Sequence, residues 1–145
     1  MVNIMKKTTI LLSLLLTSIC FGKQIVVTSD DTMKFNVSEI TVEAGSENKL
    51  LLKNVGQMPK SAMGHNLVIL KAGTDINKFG MAAMTAAASA YIPQDSNKSD
   101  VIAHTKILGP NESDEITFTL SKGEYPFICS FPGHYAMMKG IIISK

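Results

Sequence analysis

The sequence contains no tryptophan and no arginine, and only two of its 145 residues are cysteine. Each shortage excludes something. Recognition of nucleic acid normally leaves a clustered Arg and Lys footprint. Here all 14 basic residues are lysines, scattered along the chain. Cys20 lies in an apolar leader, so Cys129 stands alone in the rest of the chain and has no partner for an internal disulfide. It must be buried, free or a metal ligand. Histidine is also scarce: His65, His104 and His134 are the full set, which limits any metal chemistry to a small centre.

The leader itself is legible. Lys6 and Lys7 precede an apolar run from Thr8 to Ile19, followed by small residues and a change of character at Lys23. The run is short for a bilayer span, and no stop-transfer pattern follows it. Residues 1–22 therefore read as a cleaved signal peptide, with cleavage after Gly22 and residues 23–145 as a single exported, periplasmic domain. A lipoprotein anchored through Cys20 is the alternative, disfavoured by the bulky Ile19 before it. Losing Lys6 and Lys7 leaves twelve lysines against twelve acids. A near-neutral surface gives little long-range steering of a charged partner.

Short β-rich runs bounded by Gly, Pro, Asn or Ser occupy most of the remainder. They are Gln24 to Thr28, Ile40 to Glu43, Lys49 to Val55, Asn66 to Lys71, Val101 to Ile107, Asp114 to Leu120, Tyr125 to Cys129 and Gly140 to Ser144. In Asp114 to Leu120, Ile116, Phe118 and Leu120 alternate with Thr117 and Thr119. Seven or eight such strands predict an all-β sandwich or barrel. Ile76 to Tyr91 breaks the pattern: its Ala and Met content predicts one inserted helix, capped by Asn77 and ended before Pro93. Gln94 to Asp100 reads as a polar loop.

The chemistry is concentrated in Cys129-Ser130-Phe131-Pro132-Gly133-His134-Tyr135-Ala136-Met137-Met138. A thiol, an imidazole and a thioether stand at C-x4-H-x3-M. A blue-copper centre needs two histidines and a cysteine in a near-trigonal plane, with a weak axial methionine. Pro132 stiffens the loop and Gly133 lets it bend back. The second histidine is His65 or His104. His65 follows Gly64 at a strand edge where backbone approaches a metal closely, whereas His104 alternates within a strand, so His65 is preferred.

Met63-Gly64-His65-Asn66, together with Cys129 to Met138 and Lys139-Gly140, closely resembles the azurin family of bacterial blue-copper proteins. The likeness extends to Lys34-Phe35-Asn36, Ile40-Thr41-Val42 and Val101 to Lys106, and so covers essentially the whole of residues 23–145. It implies a cupredoxin-like Greek-key β-sandwich with a helical flap and one copper ion. His65, Cys129 and His134 would be strong ligands, with Met138 and the Gly64 backbone carbonyl weak and axial. Asn66 would tie the two ligand segments together, and the Asn66 and Phe131 backbone N–H groups would donate to the thiolate. The resemblance places Met33, Met58, Met63, Met81 and Met137 around the edge where His134 reaches the surface, an adaptable rim for docking. Two features depart from the family. Lys23 and Ser46 occupy the positions of its usual disulfide, and Leu67 that of its usual buried tryptophan.

The expected function is one-electron transfer by a shuttle between redox proteins, without enzymatic activity, since copper oxidases and nitrite reductases need a further copper and more histidines. Copper binding or delivery without an electron-carrier role is the alternative, and a zinc-loaded structural domain is a third reading. The chain is expected to be a monomer or to self-associate weakly through its apolar rim.

Overall fold

A computed structural model describes residues 21–145. The leader's Lys6, Lys7, apolar run and Cys20 lie outside the described residues. Nine strands form two sheets among them. One has the order β2–β1–β4–β7, from β1 (Phe21–Asp30), β2 (Lys34–Phe35), β4 (Glu47–Asn54) and β7 (Ser113–Thr119). The other has the order β3–β9–β8–β5–β6, from β3 (Glu39–Val42), β5 (Val68–Leu70), β6 (Val101–His104), β8 (Gly123–Ile128) and β9 (Lys139–Ser144). Both are mixed: β1 runs parallel to β4 and β3 parallel to β9, while the remaining neighbours are antiparallel.

Period-two alternation builds the core between the sheets. Along β4, Asn48, Leu50, Leu52 and Asn54 are buried, and the residues between them face outward. Ile40 and Val42 of β3, Phe118 and Leu120 around β7, Phe127 of β8 and Ile142 of β9 complete the same cluster, with Ile116 packed against it. Leu67 is fully buried there as well. Burying each of these large side chains contributes roughly 1.5–3 kcal/mol.

β5 explains the inserted helix. Val68, Ile69 and Leu70 are all fully buried, the signature of a strand covered on both faces. Ile69 joins the central core. Val68 and Leu70 point the other way, into a second cluster with Phe79, Ala83, Ile92 and Ile128. Phe79 and Ala83 belong to α2 (Ile76–Met84), which therefore lies on the outer face of this sheet.

The helix is shorter than the composition predicted. It ends at Met84, with Thr85 as its C-cap, followed by a 3₁₀ turn over Ala87–Ser89. Its cap is Asp75 rather than Asn77: the Asp75 carboxylate accepts from the Asn77 and Lys78 backbone N–H groups. The polar stretch after Pro93 contains a 3₁₀ turn at Ser96–Asp100. A four-residue helix, α1 (Lys60–Met63), precedes Gly64 and was not anticipated. No helix among the described residues is long and apolar enough to cross a membrane.

Candidate metal centre

Strands β8 and β9 pair from Gly123↔Ser144 to Ile128↔Lys139. The ladder continues one step further, where the Cys129 N–H donates to the Met138 carbonyl at 2.9 Å. Residues 129–138 are thus a loop closed at its base by sheet pairing. Inside it the His134 N–H donates to the Phe131 carbonyl at 3.0 Å and the Met138 N–H to the His134 carbonyl at 2.8 Å. Gly133 adopts φ +80°, a left-handed conformation in which a side chain would be strained. The turn folds His134 back over Cys129, leaving its Nδ1 3.6 Å from Cys129 Sγ.

His65 arrives from the other segment. Its backbone exchanges two hydrogen bonds with Leu108, at 3.1 and 2.7 Å, which pin it where the chain enters β5. The rings of His65 and His134 stand 5.0 Å apart, centroid to centroid. Ligand atoms of His65, Cys129 and His134 all lie within 4.8 Å of one another, and all three residues are buried. Met138 is fully buried and packs in one cluster with Cys129 and Phe131. Gly64 leaves no room for a side chain: a Cβ would come within 2.7 Å of the Lys60 carbonyl oxygen and 3.0 Å of Phe131 Cε2. His104 lies outside this group. It is exposed on β6, with Nδ1 3.0 Å from the Thr105 carbonyl oxygen.

The two ligand segments are tied side by side. Asn66 Oδ1 accepts from the Ser130 N–H and its Nδ2 donates to Ser130 Oγ, both at 2.8 Å and both buried. Nothing in the spacing or composition around Cys129 points to Ser130's part in this tie. Asn54 was missed for the same reason: it is buried and donates to the Leu108 carbonyl at 3.3 Å, backing the segment that holds His65.

The electrostatics suit a cation. Burial pushes the Cys129 thiol up to about 12, although backbone N–H groups of Asn66 and Phe131 pull the other way. Burial pulls His134 down to about 4, with His65 adding to the effect. His65 is lowered mainly by burial, partly offset by the Asp30 carbonyl and the Asp31 and Asp30 carboxylates. Both ring nitrogens of His65 are buried without a hydrogen-bond partner among the described residues. Buried polar atoms left unpaired in this way cost about 1–3 kcal/mol each unless something satisfies them. Two unprotonated imidazoles, a thiol and a thioether converging on one water-excluded spot are the donor set that selects copper. The residues fit the ion.

Sandwich and centre together define a cupredoxin, a one-electron carrier with a single blue-copper site. The chain belongs to the plastocyanin/azurin family of copper-binding proteins, whose sequence profile matches residues 23–145. It is 48% identical over 124 residues to Azurin-2 of Alcaligenes xylosoxydans xylosoxydans, covering 80% of this chain and 92% of that one. Among solved structures it is similar to auracyanin A, a "blue" copper protein of Chloroflexus aurantiacus, with TM-score 0.76 and 31% identity over 85% of this chain and 98% of that one. An azurin (Az-iso2) of Methylomonas sp. strain J superposes with TM-score 0.73 and 35% identity, covering 84% and 97%.

Proposed function

We propose that His65, Cys129 and His134 are the strong copper ligands, that Met138 and the Gly64 carbonyl are the weak axial pair, and that the protein shuttles electrons without catalysing a reaction of its own. The observation that carries this reading is the convergence of three buried donors, with a histidine whose two ring nitrogens have no hydrogen-bond partner among the described residues. Copper, when bound, supplies a one-electron Cu(II)/Cu(I) couple. The chain's own groups do the rest. The β8–β9 ladder and the Asn66–Ser130 tie hold the donors rigid, so little has to rearrange when the charge changes. N–H groups of Asn66 and Phe131 directed at Cys129 Sγ favour its anionic form. Burial keeps water from the site.

Electrons enter and leave through His134, a residue 3% exposed. Met58, Met81 and Met137 are well exposed and Met63 is half-buried, which supports an apolar docking rim for redox proteins. Met33 is half-buried and packs on the Cys129–Phe131–Met138 cluster, so it contributes to packing as well. Met84 is also exposed and extends the rim along α2. The leader pattern supports cleavage after Gly22 and work in the periplasm by residues 23–145 as one domain, alone or in weak self-association. Delivery of copper is the alternative function. The rigid tie between ligand segments argues against it, since exchange needs a site that opens.

The test is optical and electrochemical. The copper-loaded protein is expected to show intense visible absorption that disappears on reduction, with a reversible one-electron wave. Cys129→Ser is expected to abolish both. Retention of either by that variant, or a colourless Cu(II) form of the parent, refutes the assignment.

A further inference from the structure

The segment that follows β5 grips the ligand loop at two points, one on each side of His134. The first is Gly80, in the middle of α2. A Cβ there would overlap Cγ, Cδ1 and Cδ2 of Tyr135 almost equally. The Tyr135 ring therefore lies face-on against the bare helix backbone, with its root rather than its tip over the glycine. Cγ is close to the main chain, so a small side-chain rotation cannot clear it. Glycine inside a helix is otherwise unfavourable by about 1 kcal/mol relative to alanine. Tyr135 also packs against the cluster that contains Phe79 and Ala83 of the same helix.

The second point is Tyr91. Ala90 and Tyr91 adopt φ of 53° and 61°, two successive left-handed residues without a glycine. Such conformations are costly for residues with a Cβ and persist where surrounding structure enforces them. Their effect is to bring the Tyr91 ring edge-on to Phe131, with centroids 5.3 Å apart and planes at 69°. Phe131 in turn lies 4.8 Å from the His134 ring.

We infer that residues 76–91 form a two-point clamp on His134, with Tyr135 seated on Gly80 and Tyr91 braced on Phe131 as positioning residues. The clamp rests on His134 being a copper ligand. It also makes α2, which carries Met81 and Met84 on its exposed side, mechanically continuous with the electron exit. A partner pressing on that helix presses on the imidazole.

Two measurements test it. In the metal-free protein, Tyr135→Ser and Tyr91→Ala are each expected to broaden or double the His134 Cε1–H resonance, whereas Tyr91→Phe keeps the parent signal. In the copper-loaded protein the first two are expected to slow electron self-exchange by roughly tenfold, the scale of loss when a reacting group is misplaced by part of an ångström. Gly80→Ala supplies the internal control. It lowers the Tm while Tyr135 is present, and raises it in the Tyr135→Ser background, where only the helix preference remains. A parent-like His134 signal and self-exchange rate in both clamp variants, or a Gly80→Ala effect of the same sign in both backgrounds, overturns the clamp. A parent without a blue band would instead sink the copper assignment, and the metal-free resonance would still decide whether His134 is clamped.

Discussion

Asn66→Ala should be among the most damaging single changes available in this protein, and its cost can be worked from two hydrogen bonds. Asn66 is fully inaccessible, and Ser130 is 1% exposed. Alanine removes the acceptor of the Ser130 N–H and the donor to Ser130 Oγ, each now at 2.8 Å. The hydroxyl can turn to find another partner. The buried N–H cannot, because its direction is fixed by the peptide plane. A stranded donor costs about 1–3 kcal/mol, and the second lost bond adds about 1 kcal/mol. The sum is about 3 kcal/mol, or a fall in Tm of roughly 10 °C for a domain of this size. Ser130→Ala removes the hydroxyl bond but leaves the N–H paired with Asn66 Oδ1, so it should cost only about 1 kcal/mol. Thermal unfolding of the metal-free variants, followed by circular dichroism, measures both without any contribution from copper. If Ser130→Ala equals or exceeds Asn66→Ala, or if Asn66→Ala shifts Tm by less than about 3 °C, the tie does not hold the two ligand segments together as described.

Other outcomes follow from the same geometry. The metal-free protein should lose stability as pH falls from about 6.5 to about 4, because the unfolded chain binds a proton there that the folded His134 refuses, with His65 acting in the same direction; Asp30 and Glu112, whose carboxyls are held low, extend the loss to more acid pH, and melts at stepped pH check it. Gly64→Ala should destabilise the fold by about 2 kcal/mol despite an ordinary φ of −69°, because the Lys60 carbonyl oxygen it would meet is backbone and cannot step aside. Chemical denaturation measures that loss. Met137→Lys, at a residue 60% exposed three positions after His134, should slow electron exchange with redox proteins severalfold while leaving the visible spectrum unchanged; an unchanged exchange rate would remove Met137 from the docking surface.

How much of this was readable beforehand depended on the range of the interaction. Ile116, Phe118 and Leu120 alternate so regularly that their burial follows from the strand's own geometry. The Cys129–Met138 segment carries its spacing in ten consecutive residues, and the choice of His65 over His104 rested on a neighbouring glycine. The helix was different. Alanine content extends it to Tyr91, but it ends at Met84 with Thr85 as its cap, and Ala90 and Tyr91 are left-handed where Tyr91 meets Phe131, forty residues away. Asp75 captured the cap because its carboxylate precedes the first helical residue, a placement that composition alone does not fix. Ser130, Asn54 and the Gly80–Tyr135 contact were invisible for one reason: each depends on a partner more than fifty residues away along the chain, and nothing local advertises it.

The missing tryptophan has an experimental use. Tyrosine emission from this chain arises from Tyr91, Tyr125 and Tyr135; Tyr135 belongs to the loop that carries His134, and the Tyr91 ring rests against that loop at Phe131. An unlabelled sample therefore reports on its own metal loop: loading, loosening or docking at that end should alter the tyrosine signal, while Tyr125, at the far end of β8, remains as a built-in reference.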